Sequence, residues 1–120
     1  MKILNLNLDI KDVNLSPEDI NKSNQEVMIT VLKNVCVAWS GQKKGMKEDD
    51  RRVYYKLCDD LEKAVNEKKK EVNLEDRRID FLCKCFKEGI FTPNTLLQRV
   101  EELVWQVKDL NSKKTDNVNT

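Results

Sequence analysis

The chain has 120 residues, with 22 Lys plus Arg against 21 Asp plus Glu and a formal net charge of +1. Charged residues make up 36 % and hydrophobic ones 39 %, with only 3 Gly and 2 Pro, which excludes intrinsic disorder and favours a single, largely helical domain. The balance also holds locally, since residues 41–80 carry 12 basic and 11 acidic side chains. They lack the basic excess of a dedicated duplex-binding domain.

The first element is a strand. In "MKILNLNLDIKDV", Leu4, Leu6, Leu8 and Ile10 alternate with Asn5, Asn7, Asp9 and Lys11, a period of two that marks a half-buried strand over residues 3–10. The same stretch has neither the basic start nor the apolar block of a secretory signal. A lone strand leaves its backbone groups unpaired, so it needs a partner further along. In the following "NLSPEDINKSNQE", Ser16-Pro17-Glu18-Asp19 fits a short turn. Ser23 with Glu26 three residues on forms a capping box that starts the first helix.

That helix is expected over about 24–39. Ten of the thirteen residues from 27 to 39 are apolar and cover nearly the whole circumference, so the helix belongs in the middle of the core or is shared with another subunit. It falls short of the ~20 apolar residues of a membrane span, and the chain reads as a soluble, cytosolic protein. "SGQKKGMKEDD" lacks the G-x4-G-K-[ST] order of a phosphate-binding loop and reads as a flexible helix connection. A second helix starts at Asp49 or Asp50 and runs to about Lys68, with Val53, Tyr54, Leu57, Leu61, Ala64 and Val65 on one face and Tyr55 off it.

Val72 and Leu74 alternate with Glu71 and Asn73 in a minimal strand signal. Counting chain reversals, residues 70–74 return antiparallel beside residues 3–10. A third helix covers about 75–88, capped by Asn73 or a neighbour of Leu74 and ended by Gly89, with a stripe of Ile79, Leu82, Cys83 and Phe86 extended by Phe81 and Cys85. Thr92 as N-cap and Pro93 at the first helical position start a fourth helix that runs to about Lys108, with Leu96, Val100, Leu103, Val104 and Val107 inward. Trp105 projects about 180° away from that stripe. The expected architecture is mainly α (α+β): four helices and a two-stranded ribbon in the order β-α-α-β-α-α. It forms one domain over 1–108, followed by a flexible polar tail over 109–120.

The chemistry-bearing residues are few. There is no His, which removes the commonest general base and metal ligand. The four cysteines are Cys36, Cys58, Cys83 and Cys85, and the only close pair, "CKC", lies in a helix. Its two thiols diverge by about 200° there, unlike the close pairs on turns that hold structural zinc. The acids sit in strings such as "KEDDRR", typical of solvated helix starts, and no residue set fills the geometric roles of an active site. The expectation is a non-enzyme with no cofactor and no metal.

The start "MKILNLNLDIKDVN", the two central helices, "KKKEVNLEDRRIDFLCKCF" and "LLQRVEELV" together resemble small, mostly uncharacterised phage and prophage proteins of low-GC Gram-positive bacteria. The resemblance implies a phage context in the host cell cytoplasm and brings no catalytic signature with it. The expected function is that of an accessory factor acting by protein–protein contact. Such a factor inhibits or redirects a host machine (defence, transcription or replication), or assembles with itself. Tyr55 and Trp105 are the candidate contact residues, because aromatic side chains off the core stripes are over-represented at interface hot spots. Burial of Trp105 under the tail or a neighbouring helix stands equally open. A second reading is an anion binder of single-stranded nucleic acid or a nucleotide signal, through Lys43, Lys44, Lys47, Arg51 and Arg52, with Lys68–Lys70 secondary. A third is a virion assembly role.

Overall fold

The computed structural model describes residues 1–109. The chain runs β1 (Lys2–Asn5), α1 (Asn24–Gln42), α2 (Glu48–Asn66), β2 (Glu71–Leu74), α3 (Asp76–Glu88), α4 (Thr95–Trp105) and β3 (Lys108–Asp109). The expected order β-α-α-β-α-α holds, and a two-residue third strand follows it. Of the tail assigned to 109–120, Asp109 belongs to that strand and the remainder lies outside the described residues.

β1 pairs antiparallel with β2, Lys2 opposite Leu74 and Asn5 opposite Glu71, in the direction that chain reversal required. On its other side β1 pairs antiparallel with β3, Ile3 opposite Lys108. The first strand is therefore the middle of a three-stranded sheet, β2-β1-β3, rather than one half of a ribbon. It is also shorter than the alternating pattern, ending at Asn5 where the sequence predicted residue 10. The cause is local competition. Asn5 Oδ1 accepts the Asn7 N–H at 2.8 Å and Asp9 Oδ1 accepts the Lys11 N–H at 3.1 Å, turn-type bonds that these side chains offer in place of a ladder. The side-chain alternation nevertheless continues, with Leu4, Leu6 and Leu8 all buried and Ile10 half-buried. Burying a leucine contributes roughly 1.5–3 kcal/mol, more than the net ~1 kcal/mol of a ladder hydrogen bond, so the pattern outlasts the pairing.

α1 begins as the capping box requires: Ser23 Oγ accepts the Glu26 N–H at 3.2 Å. Val27, Met28, Ile29, Leu32, Val35, Cys36 and Trp39 are buried, and the helix packs on α2, α3 and α4. Trp39 meets Phe81 of α3 edge to face at 5.6 Å, the arrangement aromatic quadrupoles favour. α2 buries Leu57, Leu61 and Ala64. Ile79, Phe81, Leu82, Cys85 and Phe86 are buried on α3.

Several helix ends depart from expectation: α1 runs on past Trp39 to Gln42, and α2 spans Glu48–Asn66 rather than reaching Lys68. α4 starts two residues late, because Asn94 rather than Thr92 is the N-cap and its Oδ1 accepts the Leu97 N–H at 2.8 Å; the helix then ends at Trp105 rather than Lys108. Glu75 precedes α3 without a side-chain cap bond. Gly89 ends α3 with φ −73°, so left-handed freedom is not its purpose. A Cβ there would lie 2.3 Å from the Phe91 ring and 2.7 Å from the Cys85 carbonyl; the glycine makes room for Phe91 to fold back beside Phe86, 6.4 Å between centroids.

α1 and α2 both end in the same paired-bond closure. Gly45 N–H reaches Ser40 O and Lys44 N–H reaches Gly41 O; Lys69 N–H reaches Ala64 O and Lys68 N–H reaches Val65 O. These are Schellman motifs, which place the residue after the cap in the left-handed region. Here that residue is a lysine in both cases, at φ 64° for Lys44 and 56° for Lys68.

Two stability predictions follow from these ends. A lysine in the left-handed region costs about 1–2 kcal/mol, partly offset in a glycine by its greater unfolded-state entropy of roughly 0.5–1 kcal/mol. Lys68→Gly should therefore raise the urea-unfolding free energy by about 0.5–1 kcal/mol. Gly89→Ala should lower it by about 1–3 kcal/mol, the range for overpacking; an unchanged midpoint would show that Phe91 moves aside at no cost.

Candidate functional site

α4 sends Val100 and Val104 into the core with Leu96 and Leu103 beside them, and the 3.6-residue repeat leaves Leu97, Glu101 and Trp105 along its outer flank. Trp105 is 47 % exposed, so it is not sunk in the core of the described residues. Its indole Nε1 donates to Glu101 Oε2 at 3.0 Å, and Lys87 Nζ stands 6.0 Å from the ring centroid. The ring edges a shallow groove of about 410 Å³ floored by Pro93, Leu97 and Gln98.

A second groove of about 280 Å³ adjoins the first through Asn94 and Leu97 and runs between α4 and α1, with Val31, Ala38 and Phe91 on its walls. At the same end of the fold Gln42 accepts the Ile90 N–H and donates to the Ile90 carbonyl, both at 2.7 Å. Ile90 is 82 % exposed, its backbone held by the far end of α1. A fixed backbone lowers the entropy lost when such a side chain is covered. The nearly all-round apolar character of α1 is thus divided: one side is core, while Ala38 and Val37 are exposed and Val31 is half-buried. Sequence reasoning treated those residues as core and missed Leu97, Phe91 and Ile90 altogether. The signal available was the excess of apolar residues in α1 over what one buried face needs.

Tyr55 is 60 % exposed on α2, tilted against Tyr54 at 6.0 Å. α2 and α4 both pack on α1 and α3 rather than on each other, so the two aromatic candidates stand on separate flanks and do not form one patch.

The basic candidates are largely occupied. Lys43 pairs with Glu88 and lies over the Trp39 ring at 5.3 Å, Arg51 donates to the Met46 carbonyl at 2.7 Å, and Arg52 pairs with Glu48. Lys44, Lys47 and Arg51 have no ion pair among the described residues, and Arg51 is held by its bond to the Met46 carbonyl alone. Of the secondary cluster, Lys69 pairs with Glu67 at 3.2 Å, and Lys68 serves the end of α2.

Three thiols, Cys36, Cys58 and Cys83, are pushed above the ordinary thiol pKa. Cys36 lies against Cys85 between α1 and α3, and that contact together with burial drives its pKa far up. Burial raises Cys58, opposed in part by the Tyr54 hydroxyl beside it, and burial raises Cys83 as well. A protonated thiol is a poor nucleophile and a poor metal ligand. The divergence of Cys83 and Cys85 on α3 is as the spacing required: Cys85 is buried, Cys83 half-buried. Among the described residues no group of three or more Cys, Asp or Glu side chains is placed to hold a metal ion, and no helix is long and apolar enough to cross a membrane.

No protein-family model matches the chain, and no curated protein or solved structure is significantly similar to it.

One titration is measurable at this end of the molecule. The Lys43 ammonium, then the Trp39 indole, hold the Glu88 carboxyl below its ordinary value. A depressed carboxyl contributes stability above its unfolded pKa and loses it as pH falls through the folded one. Glu88→Gln should therefore melt below the parent at pH 7. The two melting curves should converge as pH drops below about 4.5; a constant gap down to pH 2 would rule out this linkage.

Proposed function

We propose that the protein is a non-enzymatic accessory factor that works by protein–protein contact, and that the outer flank of α4 is the surface it uses. The observation that carries this reading is the half-exposed Trp105 at the edge of a groove that continues through Leu97 to Ala38 and Phe91. A rigid two-torsion aromatic beside an apolar trough, with a polar rim of Gln98, Glu101 and Glu102, has the core-and-rim composition of a protein interface. Tryptophan supplies the largest contact area for the least entropy lost. The raised thiol pKa values of Cys36, Cys58 and Cys83 and the lack of histidine support a role without bond chemistry at these residues. Tyr55 is the second contact candidate, on its separate flank.

The phage or prophage context, an anti-defence or other inhibitory action on a host machine, and a place in the host cytoplasm are part of this proposal. The phage context alone rests on the resemblance described for the sequence, which brings no mechanism with it. Virion assembly is the same contact chemistry with a different partner. The anion-binding reading has weaker support, since Lys43, Arg51 and Arg52 are engaged within the fold and only Lys44 and Lys47 are left in that loop.

The test is a pull-down from host lysate, read by mass spectrometry, with the parent protein and with Trp105→Ala. Partner capture should fall at least about tenfold, the scale of a hot-spot truncation, while the melting temperature stays within about 3 °C. A fall of many degrees, or undiminished capture by a folded variant, would assign Trp105 to stability instead.

A further inference from the structure

The sheet order β2-β1-β3 leaves one side of β2 without a neighbour among the described residues. The hydrogen-bond phase says which groups face outward there. Leu6 N–H donates to Lys70 O at 2.8 Å, and with Asn5 opposite Glu71 these two residues stand directly across from each other. In an antiparallel ladder, bonded and non-bonded pairs alternate. Lys70, Val72 and Leu74 therefore turn their backbone groups toward β1, while Glu71 and Asn73 turn theirs away from it. Both are exposed, and neither backbone has another hydrogen bond among the described residues. A groove of about 310 Å³ runs along this edge, between it and Asp60, Lys63 and Glu67 of α2.

We infer that this edge binds a second copy of itself, β2 pairing antiparallel with β2 about a two-fold axis at Val72. Glu71 then faces Asn73 of the other copy, and the two pairs exchange four backbone hydrogen bonds, so the two three-stranded sheets become one. The charge pattern selects the register. With Val72 opposite Val72, Lys69 faces Glu75 on each side of the axis, a pair of opposite sign at both ends of the ladder. Moving the axis one residue in either direction, the smallest step that keeps outward groups opposed, sets Glu71 against Glu71 or against Glu75. Like charges directly opposite are destabilising. The α2 flank beneath carries both signs, Lys63 between Asp60 and Glu67, and so suits a two-fold copy of itself. Exposed edges of this kind are templates for strand addition. Lys69 and Glu75 are themselves exposed, so their present contacts, Glu67 for Lys69 at 3.2 Å and Arg78 for Glu75 at 3.7 Å, are exchangeable, and Arg78 keeps its pair with Asp60.

α4 lies beside β1 and α2 beside β2, so this contact leaves the Trp105 groove uncovered and stands or falls independently of the proposed function. Sedimentation equilibrium of the full chain at low salt, from micromolar to millimolar, should show a monomer–dimer equilibrium that Trp105→Ala leaves unchanged. Asn73→Pro removes an outward N–H without touching the bonds to β1, and it should weaken the dimer roughly tenfold or more. Lys69→Glu should weaken it too, and the double variant Lys69→Glu/Glu75→Lys should restore it, because the swap re-forms both cross-strand pairs. A parent chain that stays monomeric throughout would overturn the inference. So would a dimer indifferent to Asn73→Pro, or a charge swap that fails to rescue. If Asn73→Pro does not fold, the charge swap decides alone.

Discussion

Everything else in this fold hangs on the placement of the four-residue first strand between two strands that come much later. β1 has β2 on one side and β3 on the other, so residues 2–5 close the chain against residues 71–74 and 108–109 together. The leucines that follow, Leu6 and Leu8, are as deeply buried as Leu4, and they tie the irregular segment before α1 to the same core. Closing contacts over such separations carries a loop-entropy cost that only burial of this quality offsets. The helices then find their places around α1, which packs on the other three.

The surface follows from the same economy of apolar residues. α1 has more of them than its buried face requires, and Val31 and Ala38, with Leu97 and Phe91, border the groove that adjoins the one beside Trp105. The polar side of the molecule is mostly self-paired. Arg78 reaches both Asp60 and Glu75, Lys33 reaches Glu62 and Lys84 reaches Asp50. Exposed pairs of this sort contribute little stability individually, yet they occupy basic groups that an anionic ligand would otherwise use. The preformed surfaces among the described residues are the apolar grooves along α4 and the open edge of β2.

Legibility varied with the range of the interaction. The Ser23–Glu26 box, the inward stripes of α2, α3 and α4, and the outward direction of Trp105 and Tyr55 depend on neighbours three or four residues away, and all are where the periodicity put them. Boundaries were harder, because adjacent groups compete for the same backbone donor. Asn94 displaced Thr92 as the cap of α4, and Asn5 and Asp9 ended pairing that the leucine alternation alone would have continued. The groove was not legible at all, since it joins residues of α1, the 89–94 connection and α4 that no local pattern links.

By itself the sequence determined the helices, the alternation of the first segment, and the lack of histidine. Each is a matter of residue type and local spacing, where backbone geometry leaves few choices. Only the tertiary structure decided that the first strand is central rather than paired once, that Gly89 serves space rather than chain direction, and that Val31 and Ala38 border a groove. The reason is that burial belongs to the assembled elements: an apolar side chain does not carry in its own neighbourhood the information of which other element, if any, will cover it.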